Sequence, residues 1–103
     1  MNLKDETLRI LAENGKAPSD VIWCGLRDGS VAGTWVDFAA IDYDYENGFG
    51  TQEVSGDLVI VGLNWWLERH EYDGSEWWEF KTRPLRKRDA QPLLRRHVRR
   101  GDE

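Results

Sequence analysis

In the stretch NWWLERHEYDGSEWWEF, residues 64–80, Glu68, His70 and Glu79 are the side chains able to move protons. Two carboxylates beside an imidazole can act as acid and base if burial or mutual repulsion holds one of them protonated. Trp66 and Trp77 flank them, and Trp is the residue most enriched at interface hot spots. The same five residues therefore also read as a binding patch, with the two indoles as anchors and Glu68, Glu79 and His70 as its charges. In a variant of that reading, the indoles receive a small planar ligand such as a nucleotide base. A structural reading competes with both: Trp66 stacks on Lys81 and Trp77 packs on His70.

A hairpin must position these groups. Asp73-Gly74 is a strong two-residue turn signal, and a type I′ turn there places Tyr72 opposite Ser75, Leu67 opposite Phe80 and Glu68 opposite Glu79. One face then carries Trp65, Leu67, Trp78 and Phe80, and is core. The other carries Trp66, Glu68, His70, Trp77, Glu79 and Lys81. Each double tryptophan sends one ring in and one ring out. Glu68 directly opposite Glu79 is destabilising without a cation between them, and Arg95, Arg96 or Arg99 is the expected source.

Other chemistry is sparse. Asp42, Asp44 and Glu46 alternate with Tyr43 and Tyr45 and do not follow the EF-hand spacing, so they are read as the solvated end of a helix or as a negative steering surface. Cys24, the single cysteine, sits in VIWCGL as a small buried hydrophobe, with only two His in the chain to share a metal. No nucleophile elbow, Walker loop, zinc-protease helix or Cys-x-x-Cys is present. The expectation is a non-enzymatic protein without metal or cofactor.

Charge divides the chain. Residues 1–80 hold 16 acidic against 5 basic side chains, a balance of −11, and residues 81–103 hold 3 against 9, a balance of +6, together the net −5. Arg86, Lys87, Arg88, Arg95, Arg96, Arg99 and Arg100 form a candidate phosphate-binding set, which makes a small nucleic-acid-binding accessory protein the alternative function. The acidic remainder opposes it. No run reaches the roughly 18 apolar residues of a membrane span, and the charged N-terminus is unlike a signal peptide, so a cytoplasmic protein is expected.

The elements follow from pattern. Asn2 caps a helix to Asn14, with Leu3, Leu8 and Leu11 (and Thr7) as its stripe and Gly15 ending it. Residues 21–26 are a strand closed by Asp28-Gly29. Thr34 with Asp37 starts a second helix over 34–45, ending before Asn47-Gly48. Residues 57–82 form a three-strand meander. The class is α+β, with a three- to four-stranded antiparallel meander packed by one or two helices: one domain over 1–82, monomeric or dimeric, and a basic tail over 83–103. That tail is either disordered or a short helix capped by Asp89.

Three segments, LKDETLRILAENGKAPSDV, VIWCGLRDG and WWLERHEYDGSEWWEF, resemble small proteins encoded on phages and mobile elements of gut bacteria, over about residues 1–82. The basic end departs from that pattern. The resemblance implies an inhibitor of host defence, similar to anti-CRISPR proteins, with a protein partner whose own ligand is nucleic acid.

Overall fold

The computed structural model describes residues 1–46 and 50–99. The elements are helix α1 (Leu3–Glu13), a 3-10 turn (Pro18–Asp20), strands β1 (Trp23–Leu26) and β2 (Ala32–Gly33), and helix α2 (Trp35–Ala39). Strands β3 (Leu58–Val61), β4 (Trp65–Tyr72) and β5 (Ser75–Thr82) follow, and then a one-turn helix α3 (Arg95–Val98). The strands make one antiparallel sheet in the order β2-β1-β3-β4-β5. The class is α+β as expected. The sheet is larger than the three or four strands expected, because β1 pairs with β3 and adds β2 at its far edge.

Local chemistry explains α1. The Asn2 side chain accepts from the Asp5 N–H at 3.1 Å, and Asp5 and Glu6 occupy the dipole-favoured first turn. The helix ends in a Schellman motif, with Gly15 at φ 72°, Lys16 N donating to Leu11 O at 2.9 Å and Gly15 N to Ala12 O at 3.1 Å. Leu3, Thr7 and Leu11 are buried as read from the pattern, but Leu8 is exposed and Glu6 takes the inward place beside them. An inward charge overrides the leucine spacing here, because Glu6 has a buried cation to meet.

The second helix is shorter than expected. Thr34 and Asp37 form the capping box, with Thr34 N to Asp37 Oδ2 at 2.9 Å and Asp37 N to Thr34 Oγ1 at 3.2 Å. The helix nevertheless stops at Ala39 and the acidic run is extended. Tertiary pairing decides this: Leu3 N donates to Tyr43 O and Tyr45 N to Met1 O, making a bridge between Asn2 and Asp44. The Asn2 amide also donates to Asp42 and Asp44, at 3.0 and 2.9 Å. Asp42 and Asp44 are thus structural partners of the N-terminus and do not form a helix end. The proposed stop at Asn47-Gly48 lies outside the described residues.

The hairpin follows its sequence. Asp73 at φ 51° and Gly74 at φ 86° form the positive-φ turn, and the register pairs Tyr72 with Ser75, Leu67 with Phe80 and Glu68 with Glu79. The core lies between one sheet face and the helices, built from Leu3, Leu11, Cys24, Phe38, Ile60, Trp65, Leu67 and Trp78. The Trp65 indole packs against Gly62, where a Cβ would come within 2.0 Å of the ring.

Beyond Thr82 the chain leaves the sheet. Every described residue from 83 to 99 is exposed, including Leu85, Leu93, Leu94 and Val98. Asp89 lies in a turn closed by Ala90 N to Lys87 O and caps no helix; α3 begins after Leu94, where Leu94 N meets His97 Nδ1 at 3.0 Å. Pro92 holds the preceding residue extended and pushes the helical turn later.

Candidate functional site

Alternation along β1, β3, β4 and β5 creates a second face. One row across it is Trp23, Val61, Trp66 and Lys81, the next is Gly25, Val59, Glu68 and Glu79, and beyond these lie His70 and Trp77. Helices α1 and α2 belong to the opposite side, since Thr7 of α1 accepts from Trp78 Nε1 at 2.8 Å and Phe38 of α2 joins the core cluster. Trp23, Val61, Trp66 and Trp77 are half-buried, the first three around one groove. A groove of about 360 Å³ occurs on the helix side near Cys24 and Phe38, and one of about 330 Å³ lies on this open face, lined by Trp23, Arg27, Val59, Val61, Trp66 and Glu68.

Neighbouring side chains hold the two carboxylates in place. Trp66 Nε1 donates to Glu68 Oε1 at 2.7 Å and Trp77 Nε1 to Glu79 Oε2 at 3.2 Å. His70 Nε2 stands 2.7 Å from Glu68 Oε2 and 3.6 Å from Glu79 Oε1, its ring stacked on Trp77 at 6.5 Å, and Lys81 Nζ is 3.1 Å from Glu79 Oε1. The repulsion across the pair is therefore relieved from within the hairpin. The tail arginines expected there lie elsewhere, because in-strand neighbours two residues away reach the carboxylates without ordering a long segment. The indole hydrogen bond, then His70, holds the Glu68 carboxyl below its ordinary range. The Trp77 and Lys81 hydrogen bonds do the same for Glu79. Both groups are anions at neutral pH, which suits binding of cations and leaves neither as a proton donor.

The helix side carries a cluster that sequence reading missed. Arg69 is fully buried, with Nη1 3.3 Å from Glu6 and Nη2 3.0 Å from Glu76 Oε1 and 3.1 Å from Tyr45 Oη. Its guanidinium lies between the Tyr45 and Trp78 rings, at 5.5 and 4.9 Å from their centroids. Glu76 also accepts from the backbone N–H groups of Glu53 and Val54, at 2.7 and 3.0 Å. Burial, then the hydrogen bond to Glu6, pushes the Tyr45 phenol up to about 12. Burial alone lowers the Arg69 pKa, but Tyr45 and Glu6 outweigh it and the net direction is up. The signal was present in the alternation, since Arg69 and Glu76 fall at inward positions of the two hairpin strands.

The candidate residues separate in space. Trp66, Glu68, His70, Trp77 and Glu79 come together on the open face. Asp42, Asp44 and Glu46 do not join them: their segment lies on the helix side, where Tyr45 meets Glu6 and Arg69. Glu46 N donates to Glu53 there at 3.2 Å. Trp23, Arg27 and Val61 are face residues that the hairpin alone could not reveal. Arg86, Lys87, Arg88, Arg95, Arg96 and Arg99 are exposed on the C-terminal arm, and Arg100 lies outside the described residues. All ion pairs among the described residues fall between Glu6 and Lys81. No helix among the described residues is long and apolar enough to cross a membrane. No protein-family model, curated protein or solved structure matches the chain.

Proposed function

We propose that this protein is a non-enzymatic binding protein that takes a cationic protein partner on the open face of its sheet. The observation that carries the reading is the pairing of half-buried Trp66 and Trp77 with carboxylates, Glu68 and Glu79, that their own indole N–H groups orient. Preorganised anions beside aromatic surface offer a lysine or arginine side chain both its charge partner and a surface for its stem. Trp23 and Val61 extend the apolar part of that surface into a groove.

A finer reading makes the partner a nucleic-acid-handling host defence complex met in the cytoplasm. Its support is the resemblance to mobile-element proteins, together with the two oriented carboxylates, Glu68 and Glu79, that a cationic phosphate-binding groove would accept.

Anisotropy of a labelled oligoarginine peptide tests the binding reading. Wild type should bind with an affinity that falls as salt rises, and the Trp66→Ala, Trp77→Ala double variant should lose binding with its near-UV circular dichroism otherwise native. An unfolded double variant would place those rings in the core, and equal binding by a folded one would remove the face from the function.

A further inference from the structure

The last hydrogen bond that ties the C-terminal arm to the sheet is at its root, where Arg83 N donates to Asn64 O at 2.8 Å. Among the described residues, every later one stays within the arm: Ala90 N to Lys87 O, Leu94 N to His97 Nδ1, His97 N to Leu94 O and Arg99 N to Arg95 O. No described arm cation pairs with a carboxylate of the acidic domain. The radius of gyration is 17.2 Å, with principal extents of 50 × 33 × 28 Å, against about 13 Å for a compact chain of this length. The arm therefore stands away from the domain.

Two kinds of side chain are exposed along it. Residues 83–99 hold seven Lys and Arg against one carboxylate, Asp89, so this segment is itself +6. Arg86, Lys87, Arg88, Arg95, Arg96 and Arg99 all face solvent. Four aliphatic groups stand among them, Leu85 at 70%, Leu93 at 76%, Leu94 at 45% and Val98 at 72% exposure. Leu94 and Val98, four apart, share one side of the α3 turn, and Arg96 and Arg99 fall across from them.

A nucleic-acid backbone would use the cations and leave the aliphatic groups in water, and the arm has no Phe, Tyr or Trp on which a base could stack. An anionic bilayer uses both, because its headgroup phosphates meet the cations while its interfacial layer takes up the aliphatic groups.

We infer that the C-terminal arm holds this protein on the surface of an anionic phospholipid bilayer, with Leu93, Leu94 and Val98 entering the interface and the flanking arginines meeting headgroup phosphates. The contact is peripheral. It makes no use of the open face, which stays available to its own partner. Charge draws the arm to the surface, and aliphatic burial adds the part that salt does not screen. The acidic domain does not cancel this attraction, since at physiological salt its charges are largely screened beyond about 8 Å from the headgroups.

Flotation of the full chain with lipid vesicles tests the inference. Wild type should rise with vesicles of mixed phosphatidylglycerol and phosphatidylcholine, stay behind with phosphatidylcholine alone, and be released progressively as salt rises. Arg95→Gln, Arg96→Gln, Arg99→Gln should lower the partition coefficient at least about tenfold, and so should Leu93→Ser, Leu94→Ser, Val98→Ser, which leaves every charge in place. Both sets lie on the exposed arm, so both variants should keep the wild-type circular dichroism. Equal partition by the serine variant overturns the inference and leaves charge adsorption alone. Equal partition of wild type onto phosphatidylcholine overturns it by removing the cations from the contact. A wild type that ignores anionic vesicles also overturns it, and salt-dependent binding of a labelled oligonucleotide in that case assigns the arm to nucleic acid.

Discussion

Arg69 and Glu76, seven residues apart across the β4–β5 turn, meet at 3.0 Å on the helix side of the sheet with both side chains wholly withdrawn from water. The pair joins the hairpin to the rest of the chain. Through Glu6 it reaches α1, and through the backbone N–H groups of Glu53 and Val54 it holds the loop that enters β3. A buried charge is tolerated here because nearly every polar atom around it has a partner; Arg69 Nε is the exception.

Removing the cation should therefore be severe. Arg69→Ala leaves Glu6 and Glu76 facing each other without a counter-charge, and a loss of about 3–5 kcal/mol in urea unfolding is expected. A loss below about 1 kcal/mol would show that the carboxylates find water or protons in its place.

Gly62→Ala should disturb the core and leave the open face alone. Its Cβ would lie 2.0 Å from Cε2 of the Trp65 indole, which must tilt off the strand. Overpacking of this kind costs about 1–3 kcal/mol. Loss of near-UV dichroism with the far-UV spectrum kept is the expected record; an unchanged spectrum would mean that the ring has room to slide.

Acid should weaken the fold partly through the open face. Glu68 and Glu79 have folded pKa values lowered from their ordinary range, by Trp66 and His70 in one case and Trp77 and Lys81 in the other. Their stabilisation is present above the unfolded carboxylate pKa and is lost as pH falls through the lowered folded values. Glu68→Gln should flatten the melting-temperature profile on the acid side of pH 5. An unchanged slope assigns the acid loss to other carboxylates.

Tyr45 predicts the opposite limb. Its phenol is raised from 10 to about 12, so its contribution is intact below pH 10 and disappears as pH rises from there toward 12. Tyr45→Phe should remove this alkaline loss, as followed by thermal melts, and at neutral pH it should cost the hydrogen bonds to Glu6 and Arg69. A variant with the same alkaline slope as wild type would locate the titration elsewhere.

Cys24 should behave as core. Burial, then the charge of Asp37, pushes its thiol up to about 11, leaving almost no thiolate at pH 8. Reaction with a disulfide reagent should wait on unfolding, and a fast native reaction would mean that the β1–β2 edge opens.

Information carried over a few residues was legible in the chain. The Asp73-Gly74 turn set the hairpin register, the alternation sent Trp65 and Trp78 inward and Trp66 and Trp77 outward, and Asn2, Gly15 and the Thr34–Asp37 box marked helix ends. These are decisions of backbone geometry and neighbouring side chains, made within one or two turns. Tertiary structure decided the rest, because its energies come from residues far apart in sequence. Pairing with Met1 and Leu3 drew residues 41–45 out of the second helix. The placement of β1 beside β3 brought Trp23 to Trp66, and a cation at Arg69 made an inward glutamate of α1 more favourable than an inward Leu8. Whether the acidic run and the tryptophan face form one surface was likewise beyond local patterning, since only the packing of the N-terminus on residues 43–45 puts them on opposite sides of the sheet.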